Sequence, residues 1–162
     1  MLAERVKKRG FAARFEAAEK YHLTLAFLGW VESSQFETIS QALHTAATGP
    51  QPFELRLDRI GAFPHERRPR VVWIGARKQS AAFRNLAMTV RSTYAALGFE
   101  FKEDAVAHVT IARVKNPALP LPTISSFAPI RIKIKELTLF QSLPGSETTR
   151  YEERARALLS AV

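Results

Sequence analysis

Two short phrases in this chain pair an imidazole with a hydroxyl at the same offset: His22-Leu23-Thr24-Leu25 and His108-Val109-Thr110-Ile111. In an extended strand successive side chains point to opposite faces. Each His then shares a face with its Thr, while Leu23 and Leu25, or Val109 and Ile111, point the other way. A lone His-x-Thr is an ordinary feature of a half-buried strand. Here two of the four histidines in the chain carry it, in matching apolar frames. Two imidazoles with unperturbed pKa near 6.5 can divide a proton-transfer task near neutral pH, one neutral and one protonated. Hydroxyls on stiff, strand-compatible threonines can donate to an anionic oxygen. Opening a cyclic phosphodiester needs this set: a base for water, an acid for the leaving ribose oxygen, and donors for charge growing on phosphorus-bound oxygens. The scheme requires no metal and no cofactor. A two-histidine metal site is the competing reading, and it lacks a third ligand at suitable spacing near either phrase.

Composition limits the alternatives. The chain has no cysteine, which removes disulfides, thiolate nucleophiles and Cys-ligated zinc together. With 162 residues, 46% of them hydrophobic and 10% aromatic, it can fold around one core or two small lobes. No apolar run is long enough to span a membrane, and the charged start Met1 to Gly10 does not resemble a secretory peptide, so the expectation is a soluble, cytoplasmic protein. A formal charge of +9 favours an anionic partner, with nucleic acid ahead of phosphorylated metabolites.

The elements that must hold the two phrases can be read from periodicity. Residues 1 to 9 suggest a short helix stopped by Gly10, and Phe11 to Phe15 an extended piece. The first His-bearing strand is expected to run to about Gly29. Ser34 and Glu37 have the spacing of a capping box, followed by Phe36, Ile39, Leu43 and Ala46 at helical intervals, so a helix is expected over 34 to 47. Phe53, Leu55 and Leu57 alternate with polar residues as in a strand, and Val71 to Ala76 is a shorter apolar one, with a loop from Phe63 to Pro69 between them. A second helix is marked by Phe83, Leu86, Val90, Tyr94 and Leu97 and closed by Gly98. After the second phrase comes a proline-rich connector, 117 to 122. A strand with Ile130, Ile132 and Ile134 on one face then slips parity to Leu137 and Leu139, which predicts a bulge near Lys135-Glu136. Thr149 to Leu159 has helical propensity, with a closing strand as the alternative. His44, on the wet face of the first long helix, and His65, in a charged loop, are expected to be surface residues. Each half of the chain thus offers a His-Thr strand, a long helix and further strands, as if by duplication into two lobes with the phrases meeting at their seam.

The two phrases resemble the signature of the two-histidine phosphoesterases, and within them the bacterial and archaeal RNA 2′,3′-cyclic phosphodiesterases also called 2′-5′ RNA ligases. The resemblance extends to Gly61-Ala62-Phe63-Pro64, to Arg70-Val71-Val72-Trp73-Ile74-Gly75 and to Gly98-Phe99. It implies a two-lobed, pseudo-symmetric α+β fold with antiparallel sheets, flanking helices and a central cleft. It further implies hydrolysis of RNA 2′,3′-cyclic phosphate ends to 2′-phosphate, with 2′-5′ ligation as related chemistry. In that scheme His22 is the proton donor and His108 the proton acceptor. Thr24 and Thr110 bind phosphate, Arg113 adds a charge-assisted contact, and Phe27 stacks on the terminal base. Phe27 and Arg113 each lie five residues after their His, an odd step that an ideal strand would send to the other face. The single two-lobed domain expected over 1 to 162 lacks the short apolar strand that normally opens the family. An edge left unpaired by that absence predicts lowered stability or dimerisation. Expected partners are RNA ends or nucleotides bearing cyclic phosphate. The contrasting expectation is a non-catalytic nucleotide- or RNA-binding module of the same fold.

Overall fold

The computed structural model describes residues 12–115, 120–122, 127–145 and 149–160. The expected helix over 1 to 9 and the first half of the proline-rich connector, 117 to 119, lie outside them. The described chain forms two compact units, each assembled from three separate stretches. The first takes the described residues up to Thr24, Leu55–Ser80 and the described residues of Val106–Ile132; the second takes Leu25–Glu54, Ala81–Ala105 and the described residues from Lys133 onward. The architecture is the expected two-lobed α+β one with antiparallel sheets, but the units do not follow the two halves of the sequence. Both His-x-Thr phrases fall within the first unit.

That unit is built on a four-stranded sheet in the order β1-β5-β4-β3. Its strands are β1 (Ala13–Phe15), β3 (Arg59–Phe63), β4 (Val71–Gly75) and β5 (His108–Val114). Val72, Ile74, Val109 and Ile111 are buried, so β4 and β5 keep the apolar character of a sheet covered on one side. The strand β3 was not legible in the sequence, because Gly61 and Ala62 carry little strand propensity. It forms because β4 offers it a complete antiparallel partner from Arg59↔Gly75 to Phe63↔Val71. The first phrase is not the regular strand expected. After β1 the chain leaves the ladder through a short 3₁₀ turn, Ala18–Lys20, and returns for one bridge, Leu23↔Val109. From Leu25 it departs again, because Leu25, Ala26, Leu28 and Val31 pack against the core of the second unit instead.

In the second unit α1 (Phe36–Ala47) and α2 (Ala81–Ala95) bury one stripe each. Ile39, Leu43 and Ala46 meet Leu86, Val90 and Tyr94 over Leu137, Ala157 and Leu159. The Tyr94 hydroxyl donates to the Ile39 carbonyl at 3.0 Å, and burial pushes its phenol pKa up to about 12. The cap of α1 lies ahead of the expected Ser34/Glu37 box: the Glu32 amide donates to the Gln35 side chain at 3.2 Å, opening a 3₁₀ turn at Ser33–Gln35 that runs into the helix. Gly98 follows α2 at φ +91°, the left-handed position glycine fills best. On α2, Arg91 Nε donates to the Leu25 carbonyl at 2.8 Å and its guanidinium lies over the Phe101 ring.

The remaining strands are β2 (Phe53–Leu57), β6 (Ile130–Ile134), β7 (Glu136–Leu143) and β8 (Arg150–Leu158). β2 pairs with β6, and β7 with β8. The parity slip after Ile134 is therefore not a bulge. It is the break at Lys135 between two strands with different partners, and the bulge sits later, at Leu139/Phe140. The tail is the closing strand, since pairing with β7 over eight residue positions and burial of Ala157 outweigh its helical propensity.

Candidate active site

The bridge Leu23↔Val109 joins the middle residues of the two phrases in antiparallel fashion. One step to either side, His22 stands opposite Thr110 and Thr24 opposite His108. Because opposed residues share a face, all four polar side chains lie on the same face, related by a local two-fold axis through the bridge. The imidazoles occupy one diagonal of this square and the hydroxyls the other. Diagonal neighbours in such a pair are about 7–8 Å apart at the backbone, a spacing that leaves room for a tetrahedral anion between them.

Both rings are anchored in the same way. His22 Nδ1 lies 2.7 Å from the Lys20 carbonyl oxygen, and His108 Nδ1 lies 2.9 Å from that of Val106. A carbonyl can only accept, so Nδ1 carries the proton in each ring and Nε2 is left as the working nitrogen. The segment ahead of His108 is itself pinned, as the Ala107 amide donates to Gln79 Oε1 at 3.1 Å. His108 is half-buried, with the Phe63 ring edge-on at 5.0 Å and the Trp73 ring at 6.1 Å. That burial lowers its pKa below 6.5; the bond to Val106 pulls the other way, and the nearby His22 lowers it further. Thr110 is half-buried and Thr24 exposed.

The odd step to Arg113 is resolved by the sheet. On β4, Trp73 stands opposite Thr110 and Val71 opposite Arg113, with the register shifting between Val72 and Trp73. Val71 and Trp73 are two apart and share a face. Ile111 is then the extra residue of a bulge, and Arg113 returns to the face of Thr110 and His108. Its Nε donates to Glu16 Oε1 at 3.0 Å. The Glu16 side chain is only 12% exposed and also lies 3.9 Å from the Arg14 guanidinium. Phe27 is not on this sheet. It belongs to the second unit, outside any strand, and is 74% exposed.

Sequence reasoning did not single out the aromatic pair beside His108, nor Glu16. The available signal was glycine inside a strand pattern, which marks a close approach. A Cβ on Gly61 would lie 2.3 Å from the Trp73 ring, so the indole lies directly across that glycine. His44 and His65 are exposed as expected. Among the described residues no three His, Cys, Asp or Glu side chains gather as a metal site.

The sequence profile of LigT like phosphoesterases matches residues 1–73 and 74–151. The chain belongs to that family. Membership in the LigT like phosphoesterases carries the general activity of the class, hydrolysis of phosphoesters. Relatives of this LigT like phosphoesterase include the RNA 2′,3′-cyclic phosphodiesterase of Thermotoga maritima, 31% identical over 144 residues that cover 87% of this chain and 76% of that one. The corresponding protein of Archaeoglobus fulgidus is 39% identical over 98 residues, covering 60% of this chain and 54% of the relative. The Escherichia coli LigT crystal structure with 3′-AMP superposes with a TM-score of 0.76 at 29% identity, covering 98% of this chain and 91% of that one. The E. coli protein has also been solved with ATP and with phosphate. No helix among the described residues is long and apolar enough to cross a membrane.

Proposed function

We propose that this protein hydrolyses RNA 2′,3′-cyclic phosphate ends to 2′-phosphate by a two-imidazole mechanism that uses no metal. The observation that supports the reading is the centre-to-centre registration of the two phrases, which puts two imidazoles, each with Nδ1 against a backbone carbonyl, and two threonines on one sheet face. His108 acts as the base: its Nε2 takes a proton from water as the water oxygen bonds to phosphorus. The bond from phosphorus to the ribose 3′-oxygen breaks, and His22 gives that oxygen its Nε2 proton. Thr24 and Thr110 donate to the non-bridging oxygens, and the Arg113 guanidinium, held through Nε by Glu16, balances their charge. Phe27, exposed on the second unit, is free to stack on a base of the RNA. A 5′-hydroxyl in place of water would form a 2′-5′ linkage by the same step. The names of the T. maritima and A. fulgidus relatives support the RNA-end substrate.

The test is incubation with an oligoribonucleotide ending in 2′,3′-cyclic phosphate in excess EDTA, resolving 2′- from 3′-phosphate products. Turnover to the 2′-phosphate is the expected result. Binding with no turnover would instead establish a non-catalytic RNA-binding module.

The depressed pKa of His108 makes a second expectation. A base must be unprotonated, so activity is lost as pH falls through its pKa. The acid limb of kcat/KM should therefore have its midpoint below the 6.5 of an unperturbed imidazole. A limb at or above that value would remove His108 from the base role.

A further inference from the structure

We infer that Arg59 forms a second anion subsite on the same sheet face, one that holds the phosphodiester next to the reacting cyclic phosphate, so that the preferred substrate is an oligoribonucleotide end rather than a mononucleotide. The inference rests on the proposed function and deepens it. The register across three strands sets Arg59 opposite Gly75 on β4, and Gly75 opposite His108 on β5. Opposed residues share a face, so Arg59 and His108 point the same way from strands two steps apart, about 10 Å. Between them stands a residue with no side chain. A Cβ on Gly75 would lie 2.6 Å from the Ala107 carbonyl oxygen and 3.0 Å from Trp73 Cζ3, so the indole edge reaches over this glycine beside the Ala107 backbone. The indole, itself only 8% exposed, fills the sheet face between His108 at one end and Arg59 at the other.

Arg59 is organised for recognition of an anion. Its guanidinium carbon sits 5.7 Å from the Trp73 ring centroid, and Nη2 lies 3.3 Å from Glu66 Oε1. Stacking and that brace restrict the orientation of a group that is still 49% exposed. Of five N–H donors, one edge is directed to Glu66 and the rest remain for a phosphate, which a planar fork grips in two-point fashion. The spread of Arg59, the imidazole pair and Arg113 along one face matches a ligand with more than one phosphate.

The experiment compares a nucleoside 2′,3′-cyclic phosphate with a dinucleotide carrying the same cyclic end, for wild type, Arg59→Met and Arg59→Lys. Met keeps an apolar stem over the indole and removes the charge. In wild type the ratio of kcat/KM, dinucleotide over mononucleotide, should exceed one. Arg59→Met should lower that ratio about tenfold, and Arg59→Lys should retain most of it, with thermal midpoints recorded for each. An unchanged ratio in Arg59→Met overturns the subsite. Wild-type silence on both substrates overturns the phosphodiesterase reading itself. A check that needs no variant is salt: log kcat/KM should fall with log salt more steeply for the dinucleotide, by a slope of about 0.7 for one extra phosphate contact. Equal slopes overturn the subsite.

Discussion

Replacing His108 or His22 with Ala is expected to lower kcat/KM on a cyclic-phosphate RNA end by about 10²–10⁴-fold, the range general acid or base catalysis supplies. The loss should fall mainly on kcat, because the hydroxyls of Thr24 and Thr110 and the Arg113 guanidinium, the proposed phosphate contacts, are left in place. The double substitution should cost little more than either single one, since base and acid serve one displacement. These effects can be separated from unfolding. His22 and His108 stand half-buried on the polar side of the sheet, whereas Val109 and Ile111 on the other side are buried in its core. Thermal midpoints of the variants should therefore lie close to wild type. Variants with full turnover would show that the registered pair is a feature of the sheet and not of the chemistry.

Gly61→Ala is expected to be strongly destabilising for a single added methyl group. A Cβ there would sit 2.3 Å from Trp73 Cζ2 and 2.5 Å from Cη2, inside the contact distance of any two carbons. Trp73 is 8% exposed and wedged between Phe63 and the Arg59 guanidinium, so it has little room to withdraw. Overpacking of this kind costs about 1–3 kcal/mol, and a chain of this size loses about 2–4 °C of Tm per kcal/mol. Because the indole also borders His108, turnover should fall along with stability. A thermodynamic cycle with Trp73→Phe tests the cause: in that background the smaller ring should remove most of the Gly61→Ala penalty. An equal penalty in both backgrounds would place the strain elsewhere.

Much of the local structure was legible because its causes are local. The apolar spacing of Phe83, Leu86, Val90 and Tyr94 and the stop at Gly98 define α2 without reference to the rest of the molecule. The stripe of Ile39, Leu43 and Ala46 does the same for α1. Strands were less legible, because a strand exists only where a partner completes it. Arg59–Phe63 has weak strand character of its own and is made by β4, and Arg150–Leu158 has helical character overridden by β7. The segment after Thr24 has strand character and no ladder, since its leucines found a core instead. The return of Arg113 to the His108 face depends on a bulge at Ile111 that no spacing rule announces. Glu16 meets Arg113 from 97 residues away in the sequence, and Trp73 meets His108 from the neighbouring strand.

The sequence by itself determined the chemical groups: two imidazoles, each with a hydroxyl on its own face, in a cysteine-free, strongly basic chain. A period of two along an extended chain requires that much. Only the tertiary structure decided that the two pairs face each other, because their registration rests on one bridge, Leu23↔Val109, between segments far apart in the chain. It also decided that His108 titrates low, since a ring's pKa follows the burial and the charges that neighbouring strands bring to it.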